Sequence, residues 1–240
     1  MPALAALSAP IEKRSLNDAA ADRLRQAIVT GAVAPGARLT EIALAGRMNL
    51  SRGTIRAALH RLVTEGLVVQ RPYAGWEVAS LTSRDAWELY TLRGALEALA
   101  AKLAAENMDG TKRRTLMEAF ERLTAAASFN DPKAITDADL SLHKTIVLLS
   151  GHRRLADQYA LVERQVRMYI ASTNARLPNR QQVVQEHEGL VLAVARGNGD
   201  DAERLARAHS VYAGNDLVAH LERQEHARFS AIEPAATADG

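Results

Sequence analysis

Four side chains in the second half of the sequence are of the kinds that hold metal ions. Asp139 and His143 are four residues apart, which puts a carboxylate and an imidazole on one face of a helix. His187 and His209 each fall inside a later helical stretch, so neighbouring antiparallel helices can bring all four together. A carboxylate plus three imidazoles is a suitable shell for Zn, Ni, Mn or a similar divalent ion. Leu142 and Ile146 flank the Asp139/His143 face, which therefore points inward. A histidine in an amphipathic helix is also commonly just a satisfied core or surface residue. Only the Asp139/His143 spacing speaks for more.

A second set of residues could do different chemistry. Arg52 and Arg56 are four apart at the start of a helix whose apolar residues Ile55, Leu59 and Leu62 form a separate stripe. Ser51 is placed to cap that helix, and Asn49 breaks the shorter one before it, which carries Leu39, Ile42, Leu44 and Ala45. Two short helices with a tight turn, the second showing arginines early, have the layout of a helix-turn-helix. Arginine suits the major groove because its fork can grip O6 and N7 of guanine together. Gly53, Thr54 and Ala57 are small enough to let the helix backbone approach. After Gly66, Leu67–Gln70 and Tyr73–Val78 read as a hairpin, the wing, with Gly75 allowing close approach to the minor groove. Arg38 could touch a phosphate. On the opposing view the arginines form an ordinary solvated face.

The elements that must position these residues divide the chain in two. Residues 1–13 read as a flexible tail, 14–80 as the winged helix-turn-helix, 81–84 as a linker, 85–223 as an all-helical unit and 224–240 as a disordered tail. A helix starting at Asn17-Asp18, with Ala20, Leu24, Ala27 and Ile28 on one face, ends at Gly31. Helices follow near 85–106, 111–128, 132–149, 152–175, 179–196 and 200–223. Thr82 or Ser83 caps the first, Asp131-Pro132 opens the third, and Asn179/Gln182 and Asp200/Glu203 resemble capping boxes. The fold class expected is mainly α, with a small β-hairpin wing on the N-terminal unit and a C-terminal helical bundle.

Composition agrees. Apolar residues make up 48% of the 240, and aromatics only 4%, which favours helices over sheets. Residues 1–80 hold ten Lys/Arg against six Asp/Glu, whereas 81–240 hold 20 against 22, so positive charge lies with the helix-turn-helix. The absence of cysteine excludes disulfides and thiolate metal sites. No apolar run approaches 18 residues and the N-terminus lacks the order of a secretory signal, so a cytoplasmic protein with no membrane span is expected.

Pro35-Gly36, Arg38-Leu39, Glu41, Leu44-Ala45, Ser51-Arg52, Arg56, Ala58-Leu59, Arg61-Leu62 and Glu65-Gly66-Leu67 resemble the winged helix of GntR-type bacterial transcription regulators. Two departures bear on the operator. Gly53-Thr54 stands where that family usually has Thr-Pro, and Ala57 where it usually has Glu. Residues 85–223 resemble the FCD effector domain of the FadR-like branch, through Leu92-Arg93, Leu96-Glu97, Asp139-x-x-x-His143, Glu186-His187 with Leu190 and Ala193-Val194, and His209. The resemblance implies that Asp139, His143, His187 and His209 are metal ligands, and that the ion and an arginine together hold a small carboxylate effector. Arg93 is the favoured arginine, although it could instead pair with Glu97 four residues on; Arg164 and Arg167 are further candidates. His60, His152, His220 and His226 match no such position and are expected to face solvent.

The function expected is a homodimeric, metabolite-responsive regulator, in the commoner mode a repressor, on a pseudo-palindromic double-stranded DNA operator. Arg38, Ser51, Arg52, Gly53, Thr54, Arg56 and Gly75 form its DNA-binding surface. One alternative is a metal-dependent enzyme with Glu186 or Glu188 as base, rather than a regulator without enzymatic activity. Another is a DNA-binding dimer with no sensing site.

Overall fold

A computed structural model describes residues 15–129, 131–173 and 180–232. Two compact units divide between Ala79 and Ser80. The tail expected over 1–13 and the cap expected at Asn179 lie outside the described residues.

In the first unit, α1 (Leu16–Val29) begins one residue earlier than expected because Ser15 caps it, accepting from the Asp18 N–H. α2 (Glu41–Met48) starts after the two-residue strand β1 (Arg38–Leu39), so Leu39 belongs to the sheet. Thr40 caps α2, and Asn49 ends it in the left-handed region at φ 53°. That turn leads directly to Ser51, which caps α3 (Arg52–Thr64) by accepting from the Thr54 N–H. Two caps flanking one turned residue set the angle between the helices. The wing follows as β2 (Val68–Arg71) and β3 (Gly75–Val78), with β3 in the centre of an antiparallel sheet of order β1-β3-β2. Alternation along β3 buries Trp76 and Val78, and Ile55, Leu59 and Leu62 of α3 and Leu24 and Ile28 of α1 are buried in the same unit. Ile42, counted as apolar in α2, lies 70% exposed.

Among the described residues of the second unit every regular element is a helix: α4 (Ser83–Glu106), α5 (Gly110–Ser128), α6 (Pro132–Leu149), α7 (Arg153–Thr173), α8 (Arg180–Ala195) and α9 (Gly199–Ile232). α4 is its axis and packs against α6, α7, α8 and α9. Its start explains why no separate linker survives at 83–84. Thr82 and Asp85 make a capping box, and the Glu225 carboxylate accepts from both the N–H and the hydroxyl of Ser83. The same contact corrects the expected end of α9. This helix continues past 223 to Ile232, because Glu225 docks on the N-terminus of α4 and no proline occurs before Pro234.

α4 and α9 cross closely because small residues face each other. A Cβ on Gly94 would lie 3.3 Å from Ser210 Cβ, and one on Gly214 would lie 2.6 Å from Tyr90 Cβ. Gly214 is therefore an obligatory gap for the Tyr90 ring. Gly214→Val is expected to destabilise the protein by about 1–3 kcal/mol through overpacking, read as a lowered thermal unfolding midpoint.

Candidate metal centre and nucleic-acid interface

Three helices deliver the four candidate ligands. α6 carries Asp139 and His143, α8 carries His187 and α9 carries His209. One ligand atom from each lies within 4.8 Å of all the others. His187 Nε2 is 2.9 Å from Asp139 Oδ1 and 3.0 Å from His143 Nε2. The three rings pack on one another, with His209 stacked on His143 at 5.0 Å between centroids. Two metal–nitrogen bonds of roughly 2.1 Å at a right angle would place the nitrogens about 3.0 Å apart, so this spacing suits an ion. The donor set, three imidazoles and a carboxylate, fits as well.

Outer partners aim the rings. His143 Nδ1 lies 3.3 Å from Glu97 Oε1, and His187 Nδ1 donates to the Val183 carbonyl at 2.7 Å. Each contact occupies Nδ1 and leaves Nε2 turned to the shared centre, as ligand histidines require. Glu97 does more. The Arg93 guanidinium donates to it through Nε at 2.8 Å, the Tyr159 hydroxyl donates at 2.9 Å, and the Ser210 hydroxyl donates to its other oxygen at 2.7 Å. Sequence reasoning gave Glu97 as part of the family resemblance and as a rival partner for Arg93. The structure makes it the meeting point of α4, α6, α7 and α9. Its i, i+4 spacing from Arg93 was visible, but its reach to three other helices was not.

Electrostatics follow from this crowding. Burial pushes the Glu97 carboxyl up, but the charges of Arg93 and His143 outweigh it and hold the group well below the usual carboxylate range. Burial likewise opposes ionisation of Asp139, and His187 overcomes it, leaving Asp139 below its ordinary value. His187 is raised, because Asp139 and the Val183 carbonyl outweigh the burial that would lower it. His209 goes the other way: burial, then the neighbouring imidazoles, push it well down. The charged form is thus favoured at His187, the ring 2.9 Å from the Asp139 carboxylate, and an ion held by these groups would compete with a proton there.

Arg93 is buried at 3% exposure, and burial alone would favour losing its charge, but Glu97 keeps its pKa well above the ordinary value. Its Nη2 has no hydrogen-bond partner among the described residues. The pairing with Glu97 is therefore real and incomplete. Arg167 is held by Asp137 and lies 3.8 Å from Glu163. Glu186 accepts from Gln182, and Glu188 is exposed. Of the unmatched histidines, His60, His152 and His226 are exposed. His220 is half-buried beside Gln224, contrary to expectation, because α9 continues past it.

In the first unit the DNA-facing candidates gather on α3 and the wing. Arg52 and Arg56 are both largely exposed and both reach Glu41 on α2. Arg56 does so with two bonds, Nε to Oε1 at 2.8 Å and Nη2 to Oε2 at 2.9 Å, whereas Arg52 stands off at 3.5 Å. The Trp76 indole donates to the same carboxylate at 3.3 Å. Ser51 and Thr54 bond to each other at 2.9 Å, and Gly53 is exposed beside them. Arg38 donates to the Ala74 carbonyl at 3.3 Å, bracing the wing tip, and Gly75 takes φ +89°. Glu41 stood in the sequence as part of a family resemblance, with no role attached.

Two outcomes are expected from these geometries. Glu97→Ala leaves Arg93 buried without its counter-charge and should cost about 3–5 kcal/mol in urea unfolding. The hydrogen bond from Arg56, aided by Trp76 and opposed by partial burial, pulls the Glu41 carboxyl down from 4.5 to about 2. A lowered pKa means stabilisation that is full above pH 4.5 and lost as pH falls toward 2. The Trp76 indole N–H resonance should hold steady through pH 4.5 and shift only below about pH 3.

Residues 16–78 match the model for bacterial regulatory proteins of the gntR family, and residues 88–211 match the FCD domain. The chain is 26% identical over 212 residues to a Paenarthrobacter nicotinovorans protein named "Probable D-xylose utilization operon transcriptional repressor", covering 87% of this chain and 92% of that one. It is 26% identical over 190 residues to the uncharacterized HTH-type transcriptional regulator YdhC of Bacillus subtilis (strain 168), covering 78% and 84%. The solved structure of E. coli McbR/YncC has the same fold, with TM-score 0.71 at 21% identity, covering 89% of this chain and all of that one. With a GntR reading head and an FCD body matched in sequence over more than half its length, the chain belongs to the gntR family of bacterial regulatory proteins, in the branch that carries an FCD domain.

Proposed function

We propose that this DNA-binding transcription regulator senses a small carboxylate through a divalent ion held by Asp139, His143, His187 and His209. The observation that carries the reading is the convergence of those four ligand atoms within 4.8 Å, with the Nδ1 atoms of His143 and His187 already engaged elsewhere. Three imidazoles and one carboxylate suit Zn, Ni or Mn and leave coordination positions open to a ligand. When bound, the ion supplies a Lewis-acidic point for one carboxylate oxygen. Arg93 supports the other half of the reading. A buried guanidinium with an unused Nη2 is a donor awaiting an anion, and carboxylates take such charge-assisted bonds.

The effector acts on a homodimer in this reading. Leu92 and Leu99, seven residues apart on α4, are 52% and 44% exposed and give one helix face an apolar surface for a second copy. Each copy places α3 in the major groove of one operator half-site, with Arg38, Ser51, Arg52, Gly53, Thr54, Arg56 and Gly75 against the DNA. Effector binding shifts the balance between two arrangements of the reading heads, most simply relieving repression. A coupling of about 1–3 kcal/mol changes occupancy 5- to 150-fold. The cytoplasm is where such a protein meets both its operator and its metabolite.

Elemental analysis should find about one divalent ion per chain. Asp139→Ala and His187→Ala should each lose it. In the metal-loaded protein a thermal-shift screen of small carboxylates should raise the unfolding midpoint, and Arg93→Met should abolish that rise while keeping the ion. Metal content unchanged in both ligand variants would contradict the assignment.

A further inference from the structure

The two groove-facing arginines are not equivalent, and Glu41 is the reason. Arg56 gives one full edge of its guanidinium, Nε and Nη2, to the two oxygens of Glu41. That pairing fixes the guanidinium plane and leaves the outer edge, Nη1 with the second Nη2 hydrogen, as the only fork it can show. The Arg56 side chain is 55% exposed, so this outer edge meets solvent or DNA. Arg52 makes only a single 3.5 Å approach to Glu41.

Glu41 is itself held from behind. Its side chain is 13% exposed, and the Trp76 indole, on the central strand of the sheet, donates to Oε1. Trp76 is buried, and the His60 ring packs edge-on against it at 4.8 Å. The chain of contacts runs from sheet to carboxylate to arginine, and each link removes freedom from the next.

We propose that Glu41 is a specificity-determining positioning residue: it buttresses Arg56 so that a pre-aimed fork meets a base edge, and it keeps that arginine off the phosphates. The inference rests on the DNA-binding reading and goes beyond it. An arginine that enters the groove with its plane already set loses little side-chain entropy on forming two bonds to a guanine. A free arginine on the same helix collects phosphate contacts instead, which add affinity without sequence information. The negative charge of Glu41 also weakens non-specific attraction to the duplex. Both effects raise the ratio of specific to non-specific binding.

The test uses the full chain, a random-sequence duplex and a duplex recovered by selection with the wild-type protein. Glu41→Gln should tighten binding to the random duplex roughly five- to tenfold per bound subunit, the factor one released counterion supplies at about 0.1 M salt. The slope of log K against log salt should steepen by about one per subunit. The preference for the selected duplex should fall about tenfold per half-site, the loss of one well-oriented base contact. In an Arg56→Ala background Glu41→Gln should leave that preference unchanged, because the buttress has nothing left to hold. Trp76→Phe, which removes the indole donor together with part of the buried ring, should move the preference the same way by a smaller factor. It decides the matter if Glu41→Gln fails to fold. An unaltered preference in Glu41→Gln, or an equal loss with and without Arg56, overturns the inference. Wild-type protein that binds neither duplex overturns the DNA-binding reading itself.

Discussion

Removing the Glu97 carboxylate from water carries a desolvation cost of several kcal/mol, and the helical unit is arranged to offset it. Arg93 from the same helix, His143 from α6, Tyr159 from α7 and Ser210 from α9 all converge on its two oxygens. Withdrawing the carboxylate would leave a guanidinium and an imidazole stranded in the core. The interaction therefore fixes more than stability. It ties α6 to α4 through His143 Nδ1, while Nε2 of that ring lies 3.9 Å from Asp139 and 3.0 Å from His187. The close crossing of α4 and α9 at Gly94 and Gly214 serves the same end, since Ser210 and His209 ride on the helix that those glycines admit.

A similar device recurs in the reading head on a smaller scale. There a partly buried acid, Glu41, gathers an arginine from α3 and an indole from the wing, so three elements agree on where one guanidinium points. In both units one acid gathers donors from several elements. The difference is exposure. Glu97 is sealed, so its partners are fixed whatever the solvent does. Glu41 is 13% exposed and the arginine it holds 55%, so the inner edge of that guanidinium is paired while its outer edge stays open.

Much of this was readable from the chain. The caps at Ser51 and Asp131, the break at Asn49 and the apolar stripes of α3 and α6 are local signals, so the helix-turn-helix and most bundle helices followed from sequence. The i, i+4 spacing of Asp139 and His143 likewise put two of the four clustered side chains on one helix face. What sequence missed depends on tertiary partners. The extension of α9 to Ile232 rests on Glu225 meeting Ser83 across 142 positions. The reach of Glu97 to Tyr159 and Ser210 spans 62 and 113 positions, and no periodicity encodes it. Glu41 is a case between the two. Its separation from Arg56 is only 15 residues, but the turn between them had to be folded before the pair could be seen.

The central claim is that outer contacts pre-aim the Nε2 atoms of His143 and His187 at one ion, and nitrogen-15 spectroscopy of the zinc-loaded protein tests it most directly. The account predicts that both rings carry their proton on Nδ1, the atoms facing Glu97 and the Val183 carbonyl, while both Nε2 signals show metal coordination. Rings protonated on Nε2, or spectra unchanged when zinc is added, would contradict it.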